Sequence, residues 1–420
     1  MILQGANIVL GVTGGIACYK AVDLASKLVQ AGANVDVIMT EGATEFVTPL
    51  PFQTITKRPV SLDMFQLLRD TDMAHISLSA RADALVIAPA TANTIAKLAY
   101  GLADNLLTST ALATTAPLIV APAMDADMWE HPATQSNIEV LRQHGAVLVG
   151  PAEGRLASGR MGFGRLVTTE VLLGAICQTL GRRGLLSGSG RRPGESRSGA
   201  SVVVTAGGTQ EPLDPVRYLT NRSSGRMGYA LAEVARDMGA DVTLIHAPTA
   251  LPAIYGVNHV AVRSAADMHD AVLARLAETD VLIMAAAVAD YRPARVAEQK
   301  IKKGNGGLSL PLERTVDILS AVAEARANEG MPRLVIGFAA ETENLLANAR
   351  QKLEKKRLDL IVANDVSASD SGFEVADNRV TLLTIDGEPE ALPLMPKEEV
   401  AEHVLRWAAH ALSNSPGKEG

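Results

Sequence analysis

The chain has 420 residues, enough for two or three domains of ordinary size. Hydrophobic residues make up 47%, aromatic residues only 3%, and the formal net charge is −7. This composition allows each domain a full core, whereas the acidic balance and the few aromatic rings argue against nucleic-acid binding. Two cysteines, Cys18 and Cys177, are too few for a disulfide framework or a metal cluster.

No export or membrane signal is visible in the sequence. The opening segment lacks a basic region and a cleavage site. The longest uncharged run, from Leu106 to Met124, is interrupted by threonines, a serine and two prolines, which a membrane span would not carry. A cytoplasmic protein without a membrane partner is therefore expected.

The first half alternates apolar strands with amphipathic helices. A strand at Asn7–Val12 runs through Gly14-Gly15-Ile16 into a helix that Gly32 ends. Such alternation predicts an α/β fold with a doubly wound, mainly parallel sheet, whose ligands bind beyond the strand carboxyl ends. Further strands are predicted at Val35–Met39, Ala84–Ala88, Leu118–Ala121 and Ala146–Val149, and helices near Asn93–Ala99, Asp104–Ala113 and Ala133–His144.

A biased segment separates two such halves. Gly, Arg or Ser occupy fifteen of the nineteen positions from Gly181 to Gly199, which is typical of a flexible linker. We therefore expect domains at 1–180 and 200–414, a linker at 181–199 and a tail at 415–420. In the second half the pattern predicts strands at Val202–Thr205, Val242–Ile245, Val281–Ala285, Leu334–Gly337 and Leu360–Ala363, helices at Tyr229–Met238, Ala265–Ala277, Ile318–Asn328, Leu345–Lys356 and Pro396–Leu412, and a hairpin turn at Asp386-Gly387 after Arg379–Ile385.

The stretch from Thr205 to Gly228, TAGGTQEPLDPVRYLTNRSSGRMG, links a strand to a helix through two Gly/Ser turns. Glycine turns and a helix N-terminus favour anions, and Arg217, Arg222 and Arg226 add cations suited to phosphate. The alternative is an ordinary strand-to-helix turn with a solvated basic loop.

Three features of the first half could carry chemistry. PATANT follows a predicted strand, where hydroxyl and amide groups could bind a phosphate or a heteroaromatic ring, or only cap a helix. His75 could transfer protons or be a structural histidine. PAMDADMW, from Pro122 to Trp129, holds two carboxylates that could be catalytic or face water.

Together these residues resemble a known family. GVTGGIACYKA, His75, PATANT and PAMDADMW are similar to the flavin-dependent cysteine decarboxylases. The linker and the 205–228 stretch resemble the ligase half of the bifunctional coenzyme A biosynthesis flavoproteins, which join a phosphopantothenoylcysteine decarboxylase to a phosphopantothenate–cysteine ligase. The resemblance covers nearly the whole chain and implies a flavodoxin-like domain followed by a ligase domain.

For the first half the resemblance implies FMN bound at a trimer interface, oxidation of the cysteinyl thiol, loss of CO2 and reduction of the enethiol. His75 matches the family's catalytic histidine. Asp125 stands where the family usually has Asn, and Ser158 where it often has a proton-donating Cys. Because a serine hydroxyl is a far weaker acid than a thiol, the final reduction is in doubt. The residues implied near the flavin are Gly14, Thr40, Thr91, Asn93, Thr94 and Asp104.

For the second half the resemblance implies that CTP activates 4′-phosphopantothenate as an acyl-cytidylate, which cysteine then attacks. Asn221 and Arg217 match the family residues at the acyl group, and Asp290 could read the cytosine or hold Mg2+. Lys300, in the run Lys300-Ile301-Lys302-Lys303, matches a phosphate-binding lysine, although a basic run is often only solvated. The residues implied at CTP are Met284, Ala285, Ala286, Asp290, Lys300, Val316, Asp317, Ile318, Leu319, Phe338, Lys352 and Lys356.

Other functions remain open at this point. A dinucleotide-dependent oxidoreductase would show G-x-G-x-x-G after a first strand, and neither half has it. Asp125 and Ser158 leave room for a first domain that only oxidises its substrate or is a non-catalytic flavoprotein beside an active ligase. The resemblance also implies a homo-oligomer of trimeric flavin units and dimeric ligase units, as large as a dodecamer.

Overall fold

A computed structural model describes residues 3–65, 73–181, 186, 199–302, 308–341, 345–365 and 377–414. The chain divides into two compact units, Met1–Leu180 and Gly181–Gly420. Most of the predicted linker and all of the predicted tail lie outside the described residues, so these domain bounds stay predictions. The two units are described separately below.

A parallel sheet of six strands forms the centre of the first unit. Its strand order is β3-β2-β1-β4-β5-β6, and every neighbouring pair is parallel. β1, β2, β4 and β5 are almost wholly buried, as expected for strands covered on both faces. The strands are β1 (Asn7–Val12), β2 (Asn34–Met39), β3 (Val60–Ser61), β4 (Ala84–Ala90), β5 (Leu118–Pro122) and β6 (Val147–Leu148).

Helices and one hairpin complete the first unit. α1 buries Cys18, Ala21, Leu24, Ala25 and Leu28, a spacing of three and four residues that places one face on the sheet. The hairpin pairs β7 (Ala152–Arg155) with β8 (Met161–Arg165). The helices are α1 (Cys18–Gln30), α2 (Glu41–Thr44), α3 (Pro49–Thr56), α4 (Ala74–Arg81), α5 (Ala92–Tyr100), α6 (Leu106–Ala113), α7 (Ala126–Glu130), α8 (Pro132–Gln143) and α9 (Thr169–Gly181).

The second unit contains an eight-stranded sheet in the order β13-β12-β9-β14-β17-β18-β20-β21. The pairs from β13 to β18 are parallel, and β20 and β21 add an antiparallel edge. These strands are β9 (Ser201–Ala206), β12 (Asp241–His246), β13 (Asn258–Ala261), β14 (Val281–Met284), β17 (Leu334–Glu341), β18 (Leu360–Asp365), β20 (Val380–Leu383) and β21 (Glu390–Ala391).

Among the residues that the structure describes, five α-helices and three two-stranded ribbons accompany the second sheet. The helices are α10 (Arg226–Asp237), α11 (Ala265–Leu273), α12 (Ile318–Glu329), α13 (Leu345–Lys355) and α14 (Lys397–Asn414). The ribbons pair β10 (Gln210–Pro212) with β11 (Tyr218–Thr220), β15 (Tyr291–Pro293) with β16 (Leu312–Arg314), and β19 (Asp377–Asn378) with β22 (Met395–Pro396).

Both sheets confirm the predicted doubly wound α/β fold. In each, the strand order reverses beside the first strand, between β1 and β4 and between β9 and β14, and ligands of such sheets bind at this point. The described helices include none that is long and apolar enough to cross a membrane.

Several predicted bounds need correction. The helix expected from Asp104 begins at Leu106, because Asn105 is its N-cap. The Asn105 side chain accepts from the Thr108 N–H, and the Thr108 hydroxyl accepts from the Asn105 N–H. The helix expected to reach Ala277 ends at Leu273, with a short 3-10 turn at Leu276–Glu278. The hairpin after Arg379 is present, but β20 ends at Leu383, before the predicted Ile385.

Candidate active sites

A cavity of about 650 Å³ opens at the carboxyl ends of β1, β4 and β5 in the first unit. Its lining includes the Gly14-Gly15 turn, Thr91, the Met124–Asp125 segment and the hairpin of β7 and β8. Its position at the reversal of strand order is the one expected for a ligand site.

Gly14 allows a very close approach of two backbone segments. A Cβ at this position would lie 2.6 Å from the backbone C and O of Gly42. A Cβ on Gly15 would meet nothing within 4 Å. Gly14 is therefore required for the turn that leads to α1, whereas Gly15 leaves open space beside it.

Thr91 joins two strand ends. Its backbone N–H donates to the Thr13 hydroxyl at 3.0 Å, and that hydroxyl donates to the Pro89 carbonyl at 2.8 Å. The Thr91 hydroxyl accepts from the Thr94 N–H at 3.3 Å, so it caps α5 while lining the cavity.

The other residues expected at the flavin do not line this cavity in the described chain. Thr40 follows β2 at the same sheet edge, in the N-cap position of α2. Thr94 is buried, and Asn93 lies with it in the first turn of α5. Asp104 pairs with Lys97 at 2.7 Å, and the Lys97 hydrogen bond lowers the pKa of the Asp104 carboxyl.

The two residues that depart from the family pattern contact each other. The Ser158 hydroxyl, at the tip of the hairpin, donates to Asp125 Oδ2 at 2.5 Å. Asp125 also caps α7 by accepting from the Asp127 N–H at 3.3 Å. The Ser158 hydrogen bond, the Asp127 N–H and the Arg160 charge lower the pKa of the Asp125 carboxyl, which is therefore ionised at neutral pH.

Three cations line the same cavity: Lys20, Arg155 and Arg165. The Lys20 ammonium donates to the Leu166 carbonyl at 3.1 Å. Burial, and then the Arg165 charge, lower the pKa of Lys20. Within the described ranges none of the three is paired with a carboxylate, so their charge is available to an anionic ligand.

His75 lies in the first turn of α4 and does not line the cavity among the described residues. It is partly buried, and its Nδ1 has no hydrogen-bond partner there. The Cys18 thiol is buried and donates to the Thr13 carbonyl at 3.0 Å, and burial raises its pKa.

A phosphorylated flavin fits these residues. The cavity offers apolar walls from Met124, Met128 and Leu156 for a ring system. The glycine turn at the start of α1 and the Lys20 and Arg165 cations suit a phosphate.

A cleft of about 580 Å³ opens in the second unit at the ends of β14 and β17. It gathers side chains that are far apart in the sequence, from Met284 to Lys356. Every residue expected at CTP lines it except Ala285 and Lys300.

Glycines allow close backbone packing within the 205–228 stretch. A Cβ on Gly208 would lie 2.6 Å from the Asn221 carbonyl, and one on Gly228 would lie 2.5 Å from Ala206 Cβ. Gly207 and Gly225 adopt φ of 82° and 76°, a conformation that favours glycine. Helix α10 thus packs directly on β9, with Gly225 at its N-cap.

Asn221 reaches the edge of the cleft. Its Nδ2 donates to the Val288 carbonyl at 3.0 Å, and Val288 lines the cleft. Arg217 instead forms an ion pair with Asp214, at 2.6 Å between Nη2 and Oδ2. Lys300 is exposed and does not line the cleft in the described chain; Lys303 lies outside the described residues.

Asp317 and Lys356 form an ion pair within the cleft. Asp317 also caps α12 by accepting from the Ser320 N–H at 3.1 Å, and Lys356 donates to the Ser320 hydroxyl at 2.8 Å. Burial acts to raise the pKa of the Asp317 carboxyl, but the Lys356 and Ser320 hydrogen bonds outweigh it, and the pKa is lowered. Lys352 donates to the Phe338 carbonyl at 3.1 Å.

Asp290 is exposed on the cleft wall. The described residues contain no cluster of three or more His, Cys, Asp or Glu that could hold a metal ion. Asp290 fits a Mg2+ ion only in the common arrangement where one carboxylate assists the phosphates of a nucleotide.

Five further lining residues were missed from the sequence: Val288, Ala289, Tyr291, Arg314 and Thr315. Tyr291 and Arg314 face each other across the β15–β16 ribbon, whose strands are three residues each. Such short strands leave no periodic signal in the sequence.

Comparison with known proteins agrees with this architecture of two α/β units, each with a ligand edge. Residues 2–181 match the family described as "Flavoprotein". Residues 197–412 match the "DNA/pantothenate metabolism flavoprotein C-terminal domain". The class is thus a flavoprotein domain joined to a domain of pantothenate metabolism.

Full-length relatives identify the family. The chain is 46% identical over 417 residues to "Coenzyme A biosynthesis bifunctional protein CoaBC" of Bacillus subtilis, covering 99% of both chains. It is 44% identical over 407 residues to the protein of the same name from Mycobacterium tuberculosis, covering 95% of both. The chain therefore belongs to the family of bifunctional coenzyme A biosynthesis flavoproteins.

Solved structures similar to parts of this chain include the C-terminal domain of a CoaBC protein. It is 41% identical, with a TM-score of 0.45, and the match covers 55% of this chain and 99% of that one. They also include a mutant PPC decarboxylase complexed with pantothenoylaminoethenethiol, 32% identical, with a TM-score of 0.37 over 41% of this chain and 97% of that one.

Proposed function

We propose that the chain makes 4′-phosphopantetheine from 4′-phosphopantothenate and cysteine in two reactions. The second unit ligates cysteine at the expense of CTP, and the first decarboxylates the product with FMN. Family membership supports both activities. The observation that carries the ligase proposal is the cleft, which gathers the expected nucleotide residues from four separate segments.

In the ligase reaction, a carboxylate oxygen of phosphopantothenate attacks the α-phosphorus of CTP, and pyrophosphate leaves. The cysteine amine then attacks the acyl carbon, and CMP leaves. Lys352, Lys356 and Lys300 offset the phosphate charge, while Asp290 assists Mg2+ or the base. The Asn221 amide, already oriented by its bond to Val288, donates to the acyl oxygen as negative charge develops.

The ligase is tested by CTP-dependent pyrophosphate release with phosphopantothenate present. We expect Asn221→Ala and Lys300→Ala to lose this release while staying folded. Lys355→Ala is the matched control, because Lys355 is an exposed lysine that does not line the cleft. Full activity of both site variants would show that the assignment of these residues is wrong.

In the decarboxylase reaction, bound FMN would take up two electrons from the cysteinyl thiol and return them after CO2 has left. Lys20 and Arg165 are assigned to the flavin phosphate, so Arg155, which is not paired with a carboxylate in the described chain, is the lining cation left for the anionic substrate. The hairpin of β7 and β8 forms part of the cavity wall through Arg155, Leu156 and Arg165. His75 does not line this cavity in the described chain, and it is proposed for the first proton transfer on the family resemblance alone.

A second candidate for the first unit is oxidation without the final reduction. The Ser158–Asp125 hydrogen bond favours it, because an ionised carboxylate and a serine hydroxyl are both poor proton donors. This reaction ends at the enethiol and CO2, and an oxidant such as dioxygen must accept the two electrons. A non-catalytic flavoprotein domain would give neither product.

The mass of the product separates these possibilities. The saturated thiol is heavier than the enethiol by two hydrogens. A saturated product supports the full reaction, and an enethiol that accumulates only under air supports the oxidative one.

A homo-oligomer is also proposed, with trimeric flavin units and dimeric ligase units. It is supported by large apolar side chains exposed on the first unit, such as Tyr100 at 70% and Leu112 at 64%. Light scattering of the full chain tests it, and a monomer would contradict it. The cytoplasmic location stays a prediction.

A further inference from the structure

Asp214 lies in the 205–228 stretch and has no role in the proposed chemistry so far. Its side chain is fully buried, yet it is a carboxylate. A buried charge needs hydrogen-bond partners, and the Asp214 carboxylate accepts five hydrogen bonds from N–H groups. Oδ1 accepts from the backbone of Val216 at 2.9 Å and of Arg217 at 2.8 Å.

The second oxygen reaches a distant segment of the chain. Oδ2 accepts from Arg217 Nε at 3.0 Å, from Arg217 Nη2 at 2.6 Å and from the Ile301 N–H at 3.1 Å. The Arg217 side chain holds the pKa of this carboxyl well below its usual range, so the charge persists throughout the neutral range.

Ile301 is held from both sides. While its N–H donates to Asp214, its carbonyl accepts from Arg217 Nη2 at 3.0 Å. A third bond nearby joins the Ala297 N–H to the Leu213 carbonyl at 3.0 Å. The backbone at residues 297–301 is thus fixed to the turn at residues 213–217.

The side chains on either side of Ile301 are left free for a ligand. Lys300 and Lys302 are both exposed, and neither is paired with a carboxylate in the described part of the chain. A buried anion therefore fixes the backbone of a segment whose ammonium groups face outward. This arrangement orders cations in advance for a polyanion, which lowers the entropy lost on binding.

We infer that Asp214 is a positioning residue of the ligase: it holds the Lys300–Lys302 segment beside the stretch that carries Asn221, so that these lysines meet the polyphosphate of the nucleotide. The inference rests on the proposed ligase function. Asp214 acts through Lys300 and Lys302 and does not itself touch the reacting atoms.

The test uses the full chain with Asp214→Asn, Lys300→Ala and the double variant. We expect Asp214→Asn to raise the KM for CTP on the order of tenfold, with a smaller change for phosphopantothenate, because preorganisation is lost. Because Lys300→Ala loses pyrophosphate release, the double-variant comparison uses the Kd for CTP from a binding titration. In the Lys300→Ala background, Asp214→Asn weakens CTP binding much less than it does in the unmodified chain, because the two residues act as one unit. Asp214→Glu, which keeps the charge, recovers part of the loss and is a second variant if Asp214→Asn does not fold.

A second readout does not depend on activity. Trypsin cleaves after lysine, and we expect cleavage after Lys300 and Lys302 to be several times faster in Asp214→Asn, while cleavage after Lys57 in the first unit is unchanged. Mass spectrometry of timed digests gives both rates.

If Asp214 had a purely structural role, Asp214→Asn would raise the KM of both substrates equally, and its effect would be the same with and without Lys300→Ala. The ratio of the trypsin cleavage rates would stay unchanged. Any of these results overturns the inference. If the unmodified chain releases no pyrophosphate from CTP, the proposed ligase function is wrong, and Asp214 then has no role in that reaction. The trypsin rates then still decide whether the tether exists.

Discussion

Gly14→Ala tests whether the glycine turn of the first unit forms the flavin site. The new Cβ would lie 2.6 Å from the backbone C and O of Gly42 and 2.9 Å from its Cα. Carbon atoms in contact are normally about 3.5–4.0 Å apart, so one backbone segment must move by roughly 1 Å. Overpacking of this kind costs about 1–3 kcal/mol of stability.

With the FMN phosphate bound at the glycine turn, as proposed, the same displacement would withdraw the N–H groups of that turn from it. Hydrogen bonds to charged groups contribute about 1.5–3 kcal/mol, so we expect flavin affinity to fall roughly tenfold to a hundredfold. Fluorescence titration with FMN and chemical unfolding measure the two effects. Gly42→Ala, across the same contact, is the control, because its Cβ would lie 3.6 Å from Gly14 Cα, an ordinary contact, and Gly42 does not line the cavity among the described residues. Equal flavin affinity in the two variants would refute the reasoning.

Two more predictions concern the candidate sites, and a third concerns an exposed ion pair of the first unit. We expect Lys356→Met to lower kcat/KM for CTP by roughly tenfold to a hundredfold, because a charged hydrogen-bond donor is lost, and Lys355→Met to leave it unchanged; steady-state kinetics decide. Ser158→Cys should raise the ratio of saturated product to enethiol, since a thiol is the stronger acid, whereas Ser158→Ala should not; an unchanged mass spectrum would contradict this. The Lys27 hydrogen bond lowers the pKa of Glu170 to about 2, so the stabilisation is present above the ordinary pKa of 4.5 and is lost as the pH falls towards 2. At 66% exposure it contributes at most about 1 kcal/mol, and Glu170→Gln should lower the free energy of unfolding at pH 7 but not at the acidic end of that window.

Much of the fold followed from the sequence because buried parallel strands leave strong signals. β4 and β14 are continuous apolar runs, and both were located within two residues of their observed ends. The hairpin strands β7 and β8 were missed because their residues, rich in glycine and arginine, have no apolar alternation. Their antiparallel pairing with each other defines them in the structure.

The sequence indicated residues at strand ends, but it did not indicate which distant side chains pair with one another. The family resemblance implied Asp290 and Phe338 at CTP, and both line one cleft at the carboxyl ends of parallel strands, where such sheets bind ligands. Side-chain pairing between distant segments leaves no sequence pattern. The contacts of Ser158 with Asp125 and of Asp214 with Ile301 therefore needed the structure.

The most direct measurement follows all products formed by the purified full chain from 4′-phosphopantothenate, cysteine, CTP and Mg2+. Liquid chromatography with mass spectrometry reports each species over time. We predict equal amounts of CMP, pyrophosphate and the acyl-cysteine amide, followed by CO2 and a decarboxylated thiol from the same chain. If no acyl-cysteine amide forms in the presence of CTP, the chain is not the proposed ligase.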